Sequence, residues 1–136
     1  LGDYNALALA CMELVAAVDA SVSPREVQTI AQLYKQVAGE DVAGDWVRRD
    51  GEWWRTRPEQ VYSAAARLAP GLDRERKETL LRVLILTAFS DNQPQQSEYD
   101  CLAQIAQSLG VAPARLKELI QTTVIVADPN NGRSAA

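Results

Sequence analysis

Residues 14–26 run Leu14-Val15-Ala16-Ala17-Val18-Asp19-Ala20-Ser21-Val22-Ser23-Pro24-Arg25-Glu26, and this stretch decides the fold. Its first five residues end an apolar, alanine-rich run. Its last four begin a helix: Ser23 supplies a capping hydroxyl, Pro24 suits the first helical position, and Glu26 stands three residues after the cap to close a capping box. Asp19 lies at the corner between the two, so the stretch reads as a turn joining helices. Upstream, Tyr4, Leu7, Cys11, Leu14, Val15 and Val18 keep the three-four spacing of one helical face, and a helix is predicted from about Asp3 to Val18. Downstream, Val27, Ile30, Ala31, Tyr34 and Val37 form the inward face of a second helix that frays near Gly39.

The same pattern continues along most of the chain. Val61, Ala64, Ala65 and Leu68 mark a helix that Pro70-Gly71 stops, and Asp73 can cap the next one. In that next helix, apolar residues from Leu80 to Phe89 cover nearly every face, as expected of a helix surrounded by others. Tyr99, Leu102, Ile105, Ala106 and Leu109 give a further helix ending at Gly110, and Pro113 opens a last one with Leu116, Leu119, Ile120 and Thr123 inward. Val124-Ile125-Val126 is read as the end of that helix. Between Glu40 and Pro58 the pattern weakens, and a short helix around Asp45 to Arg49 followed by a loop is expected, with Asp50-Gly51 as a turn signal. No period-two alternation is long enough to make a sheet. The expected fold is all-α, about seven helices in two pseudo-symmetric hairpin units around the Leu80–Phe89 helix. Residues 1–126 form one domain in this reading and residues 127–136 a flexible polar tail.

Composition narrows the chemistry. With 136 residues, 47% of them apolar, the chain has enough material for a core of its own. Histidine is absent, which removes histidine-based triads and zincin sites. No glycine-rich phosphate loop and no GxSxG occurs, so no enzyme is expected. Cys11 and Cys101 are ninety positions apart without CxxC spacing, and the expectation is two buried thiols in a reducing, cytoplasmic setting, with a disulfide as the alternative if their backbones meet. No apolar stretch is long enough for a membrane span. The first residue is Leu1, which leaves room for a longer polypeptide and for membrane association through a partner or another segment. A net charge of −4 argues against nucleic acid as a partner except at a local basic patch.

Sliding the chain along itself by 72 positions superposes Leu9 on Leu81, Leu14 on Leu86, Ala16 on Ala88, Asp19 on Asp91, Glu26 on Glu98, Ala31 on Ala103 and Gln32 on Gln104. The two halves thus share a plan in which one aspartate ends a helix and one glutamate opens the next. The Leu14–Glu26 string, with its partner from Ala88 to Glu98, resembles the TerB-like domain of tellurite-resistance proteins, also found in DnaJ-like membrane co-chaperones. That resemblance implies an all-helical fold and acidic turns that bind metal ions. The family's glycine after the aspartate is Ala20 here and Asn92 in the second copy.

Two groups of residues are candidate sites. Asp19, Glu26, Asp91 and Glu98 are candidates for Ca²⁺ or Mg²⁺, which prefer carboxylate and carbonyl oxygens; an EF-hand is excluded because Glu26 is only eighth from Asp19. The plainer reading is that Glu26 and Glu98 serve helix N-termini. The second group is the segment from Trp46 to Arg57, which holds all three tryptophans and four arginines. Trp46, Arg49, Trp53, Trp54 and Arg55 have the composition of a protein-binding hot spot. Packing of the rings over the core edge is the plainer alternative, and stacking on single-stranded nucleic acid comes third. The chain is read as a non-enzymatic module that binds another protein, with a weak divalent cation at its acidic turns, and the TerB-like resemblance implies a role in tellurite or envelope stress. The alternative is a regulatory or co-chaperone-type domain of a larger polypeptide, its acidic turns purely structural.

Overall fold

The computed structural model describes residues 2–19, 22–90 and 94–127. Among the described residues there are seven α-helices and no strand. These are α1 (Tyr4–Ala17), α2 (Pro24–Ala38), α3 (Gly44–Arg55), α4 (Pro58–Leu68), α5 (Arg74–Ala88), α6 (Gln96–Leu109) and α7 (Pro113–Ala127), with a 3₁₀ turn over Ala69–Gly71. The all-α expectation holds. Of the expected tail, Ala127 closes α7 and residues 128–136 lie outside the described residues.

Local chemistry sets the helix ends. Ser23 Oγ accepts from the Glu26 N–H at 3.1 Å and Glu26 Oε1 accepts from the Ser23 N–H at 2.9 Å, which is the reciprocal capping box expected of that tetrapeptide. Asp73 caps α5 by accepting from the Arg76 N–H at 2.8 Å, and Asp3 does the same for α1 from Ala6. At the other ends of α2 and α6, Gly39 and Gly110 take φ of 74° and 79°, a left-handed conformation that costs glycine little.

The core is shared by two helices. Leu80, Leu81, Leu84 and Ile85 of α5 are fully buried, as the apolar run around them implies. Helix α1 is buried still further round its circumference and packs against α2, α3, α4, α5 and α6. Each buried leucine or isoleucine in these two helices contributes roughly 2–3 kcal/mol of hydrophobic stabilisation before entropy is counted. Cys11 and Cys101 are buried free thiols. Burial raises both, pushing Cys101 up to about 11, so both act as small apolar fillers.

One segment differs from its reading. Residues expected to be a short helix plus a loop form a single helix, α3, which runs through Asp50-Gly51 without a turn. The glycine is there for contact. A Cβ at position 51 would come within 2.9 Å of Val22 Cγ2 and 3.2 Å of Ala17 Cβ, so hydrogen at that point lets α3 lie directly on α1. A tertiary contact overrides the local turn signal. The residues matched at an offset of 72 are unevenly treated: Leu14 is fully buried whereas Leu86 is partly so, and the reverse holds for Leu9 and Leu81.

Candidate functional site

Helix α3 has two different sides. Its inner side carries Val47 and Gly51, both buried, and Trp54, whose ring packs on the core. The Trp54 indole N–H donates to Glu13 Oε1 of α1 at 3.3 Å. Glu13 is 1% exposed, and its second oxygen, Oε2, has no hydrogen-bond partner. Burial, reinforced by the negative charge of Asp50, pushes the Glu13 carboxyl up to about 9. It is therefore protonated at neutral pH, and α3 sits on α1 through apolar contact and a bond to a neutral acid.

The outer side is aromatic and basic. Trp46 and Trp53 are 56% and 52% exposed. Seven residues apart on a helix, they lie two turns from each other on one side. Each has an arginine on its ring: the Arg49 guanidinium is 5.0 Å from the Trp46 centroid and that of Arg57 is 3.5 Å from the Trp53 centroid. Arg57 also donates to the Trp53 carbonyl at 3.2 Å and to Thr56 Oγ1 at 2.9 Å. An exposed cation–π pair contributes about 0.5–1 kcal/mol, which is enough to bias the rotamers of side chains this long. Arg55 is turned to Glu52 of its own helix. The structure thus groups Trp46, Arg49 and Trp53, adds Arg57 to them, and sends Trp54 inward.

The acidic candidates are placed differently. Asp19 is exposed at the end of α1, whereas Glu26 and Glu98 are buried and accept from the backbone N–H of Ser23 and Gln95 at 2.9 and 3.0 Å. Asp91, like Ala20 and Asn92, lies outside the described residues. Among the described residues no three His, Cys, Asp or Glu side chains are grouped to hold a metal ion.

Two features escaped the sequence reading. Glu13 is the only charged residue between Ala6 and Val18, and a lone acid in an apolar run is a signal that it faces the interior. Glu78, on α5, is the other. It accepts from Arg115 of α7 through two bonds of 2.7 and 2.8 Å and from Arg74 at 3.0 Å, with Arg82 at 3.5 Å. The hydrogen bonds from Arg115 and Arg74 hold the Glu78 carboxyl down to about 2. The flanking Arg74 and Arg82 are visible as helical i,i+4 neighbours, but Arg115 lies 37 residues away and only the fold reveals it.

With the helices and their surfaces in place, comparison with known proteins settles the lineage. The sequence model described as "Tellurite resistance protein TerB" matches residues 5–121. The chain belongs to the TerB family. That match spans α1 through most of α7, including the whole of α3, so the tryptophan helix is part of this TerB domain. No curated protein and no solved structure matches the chain. No helix among the described residues is long and apolar enough to cross a membrane.

Proposed function

We propose that this TerB domain works without catalysis, as a docking module that offers the outer side of α3 to an acidic segment of another protein. One observation carries the reading: two tryptophans more than half exposed, each with an arginine on its ring, stand on a helix whose opposite side is tied to the core. Large exposed indoles are unfavourable in water unless something covers them, and tryptophan and arginine are both enriched among hot-spot residues. Arg48, Arg49, Arg55 and Arg57 give this segment a positive balance on a chain of net charge −4, which selects acidic partners by complementarity. The family description supports a role in the response to tellurite stress. The alternative context, a regulatory or co-chaperone-type domain within a larger polypeptide, uses the same surface.

The test is fluorescence anisotropy with a synthetic labelled peptide of alternating glutamate and leucine. Binding is expected, weakening at least about tenfold in the double variant Trp46→Ala/Trp53→Ala. Equal affinity in wild type and double variant contradicts the docking role of α3.

Divalent-cation binding is a second proposal, supported by the family's acidic turns and by the exposed position of Asp19. The chemistry is demanding, because Ca²⁺ takes six to eight oxygens and one Glu26 oxygen is already held by the capping box. Backbone carbonyls and water would have to supply most of the shell around Asp19 and Glu26, and likewise around Asp91 and Glu98. Calorimetry with Ca²⁺ or Mg²⁺ is expected to show weak heat that Asp19→Asn and Asp91→Asn reduce. No heat at millimolar ion leaves Glu26 and Glu98 with capping alone.

A further inference from the structure

A second charged region lies away from α3, where the start of α7 meets α5. A cleft of about 370 Å³ opens there, lined by Arg74, Lys77 and Glu78 of α5, by the turn Gly110-Val111-Ala112, and by Arg115. Four cations gather at this place: Arg74, Arg82 and Arg115 reach Glu78, and Lys77 lines the cleft with no ion pair among the described residues. Among the described residues the carboxylates in ion pairs with them are Glu78 and Glu118, the latter 3.6 Å from Arg115. Two positive charges are left over, in a chain whose net charge is −4.

Three arginines on one carboxylate exceed what a structural clamp requires. The fork of Arg115 already engages both Glu78 oxygens, and Arg74 and Arg82 share the lone pairs that remain. Their consequence is a set of guanidinium groups held in place ahead of any ligand. The backbone adds to it. Ala112 accepts the first helical bond from the Leu116 N–H at 3.0 Å, which makes it the residue before α7, and an alanine has no oxygen with which to cap. Pro113 has no N–H, so the first N–H groups of α7 are those of Ala114 and Arg115, and they border the cleft without a side-chain cap from position 112, at the positive end of a helix of 15 residues.

We infer that the α5–α7 cleft is a binding site for a phosphate-class oxyanion, free or as the head of a phosphate monoester, with Lys77 and Arg115 as its side-chain ligands and the first turn of α7 as its backbone ligand. Glu78 is the positioning residue. It orders the arginines and is over-neutralised by them, so it does not repel an incoming anion as a lone carboxylate does. The cleft's volume lies within the range of small-ligand pockets and exceeds what a bare ion needs, which leaves room for the group that an ester carries.

The experiment is a titration of the ¹⁵N-labelled protein with inorganic phosphate and, separately, with phenyl phosphate, each against sodium chloride at matched ionic strength. Saturable shifts are expected at the amides of residues 110–112, 114 and 115 with both phosphates and not with chloride. If phenyl phosphate binds more tightly, the natural ligand is an ester; if inorganic phosphate does, it is the free ion. Lys77→Gln should weaken binding about tenfold, the equivalent of one charge-assisted hydrogen bond. Ala112→Asp is the stricter variant, because the new carboxylate caps α7 and so preserves or raises the melting temperature while it occupies the site and abolishes binding. Shifts that chloride reproduces, or affinities that neither substitution changes, overturn the assignment.

Discussion

Glu13 and Glu78 are buried to a similar degree, at 1% and 7% exposure, yet one is neutral and the other ionised. Glu13 has an indole N–H, a nearby carboxylate and an orphaned oxygen, and it holds its proton up to about 9. Glu78 has three arginines, and it stays ionised down to about 2. Burial removes water from both; the neighbours decide what replaces it. The same contrast divides the molecule. Helix α3 rests on α1 through neutral contacts and small residues, with none of its arginines spent on α1 among the described residues, whereas α7 is clamped to α5 by charge.

The strongest way to break this contrast is at the α1–α3 contact. Gly51→Leu places a side chain where even a Cβ comes within 2.9 Å of Val22. A loss of about 3 kcal/mol is expected in urea unfolding, together with a red-shifted Trp54 emission as α3 lifts. An unchanged midpoint would mean that α3 is not seated as described.

The two glutamates then predict pH dependences of opposite sign. For Glu13 the folded pKa lies above the ordinary 4.5, so its contribution is whole below about 4.5 and is lost as pH rises towards 9. Glu13→Gln keeps a hydrogen-bonding group, removes the ionisation, and should gain about 1–3 kcal/mol over wild type at pH 8 with little gain at pH 4. For Glu78 the folded pKa lies below the ordinary value, so its contribution is present above about 4.5 and is lost as pH falls towards 2. Glu78→Gln should cost about 1–2 kcal/mol at pH 7, the difference fading in acid. Parallel pH profiles for the two variants would remove the distinction between the sites.

The legibility of these features follows the range of the interactions behind them. The Ser23-Pro24-Arg25-Glu26 start, the Asp73 cap and the stops at Gly39 and Gly110 depend on neighbours within four residues, and the sequence shows each of them. Gly51 misled because Asp-Gly is a turn signal in isolation, and the contact that overrides it comes from Ala17 and Val22, some thirty residues away. The tryptophans were legible as a group but not as individuals. Only the position of α1 determines that Trp54 meets Glu13 while Trp46 and Trp53 face outward. The Glu78–Arg115 fork joins two helices that nothing in the local pattern pairs.

The smallest stability effect belongs to the surface assigned the largest functional one. Trp46→Ala/Trp53→Ala should leave stability within about 0.5 kcal/mol of wild type, since neither ring is part of the core. A larger loss in thermal unfolding would make the two rings structural and return the segment to the packing alternative.

The central claim, that α3 divides its three tryptophans between the core and a partner, is tested most directly by their indole N–H resonances. In a titration with the glutamate–leucine peptide, the Trp46 and Trp53 signals should move together and saturate while the Trp54 signal, held by Glu13, stays in place. Movement of Trp54 alone, or of none of the three, would contradict it.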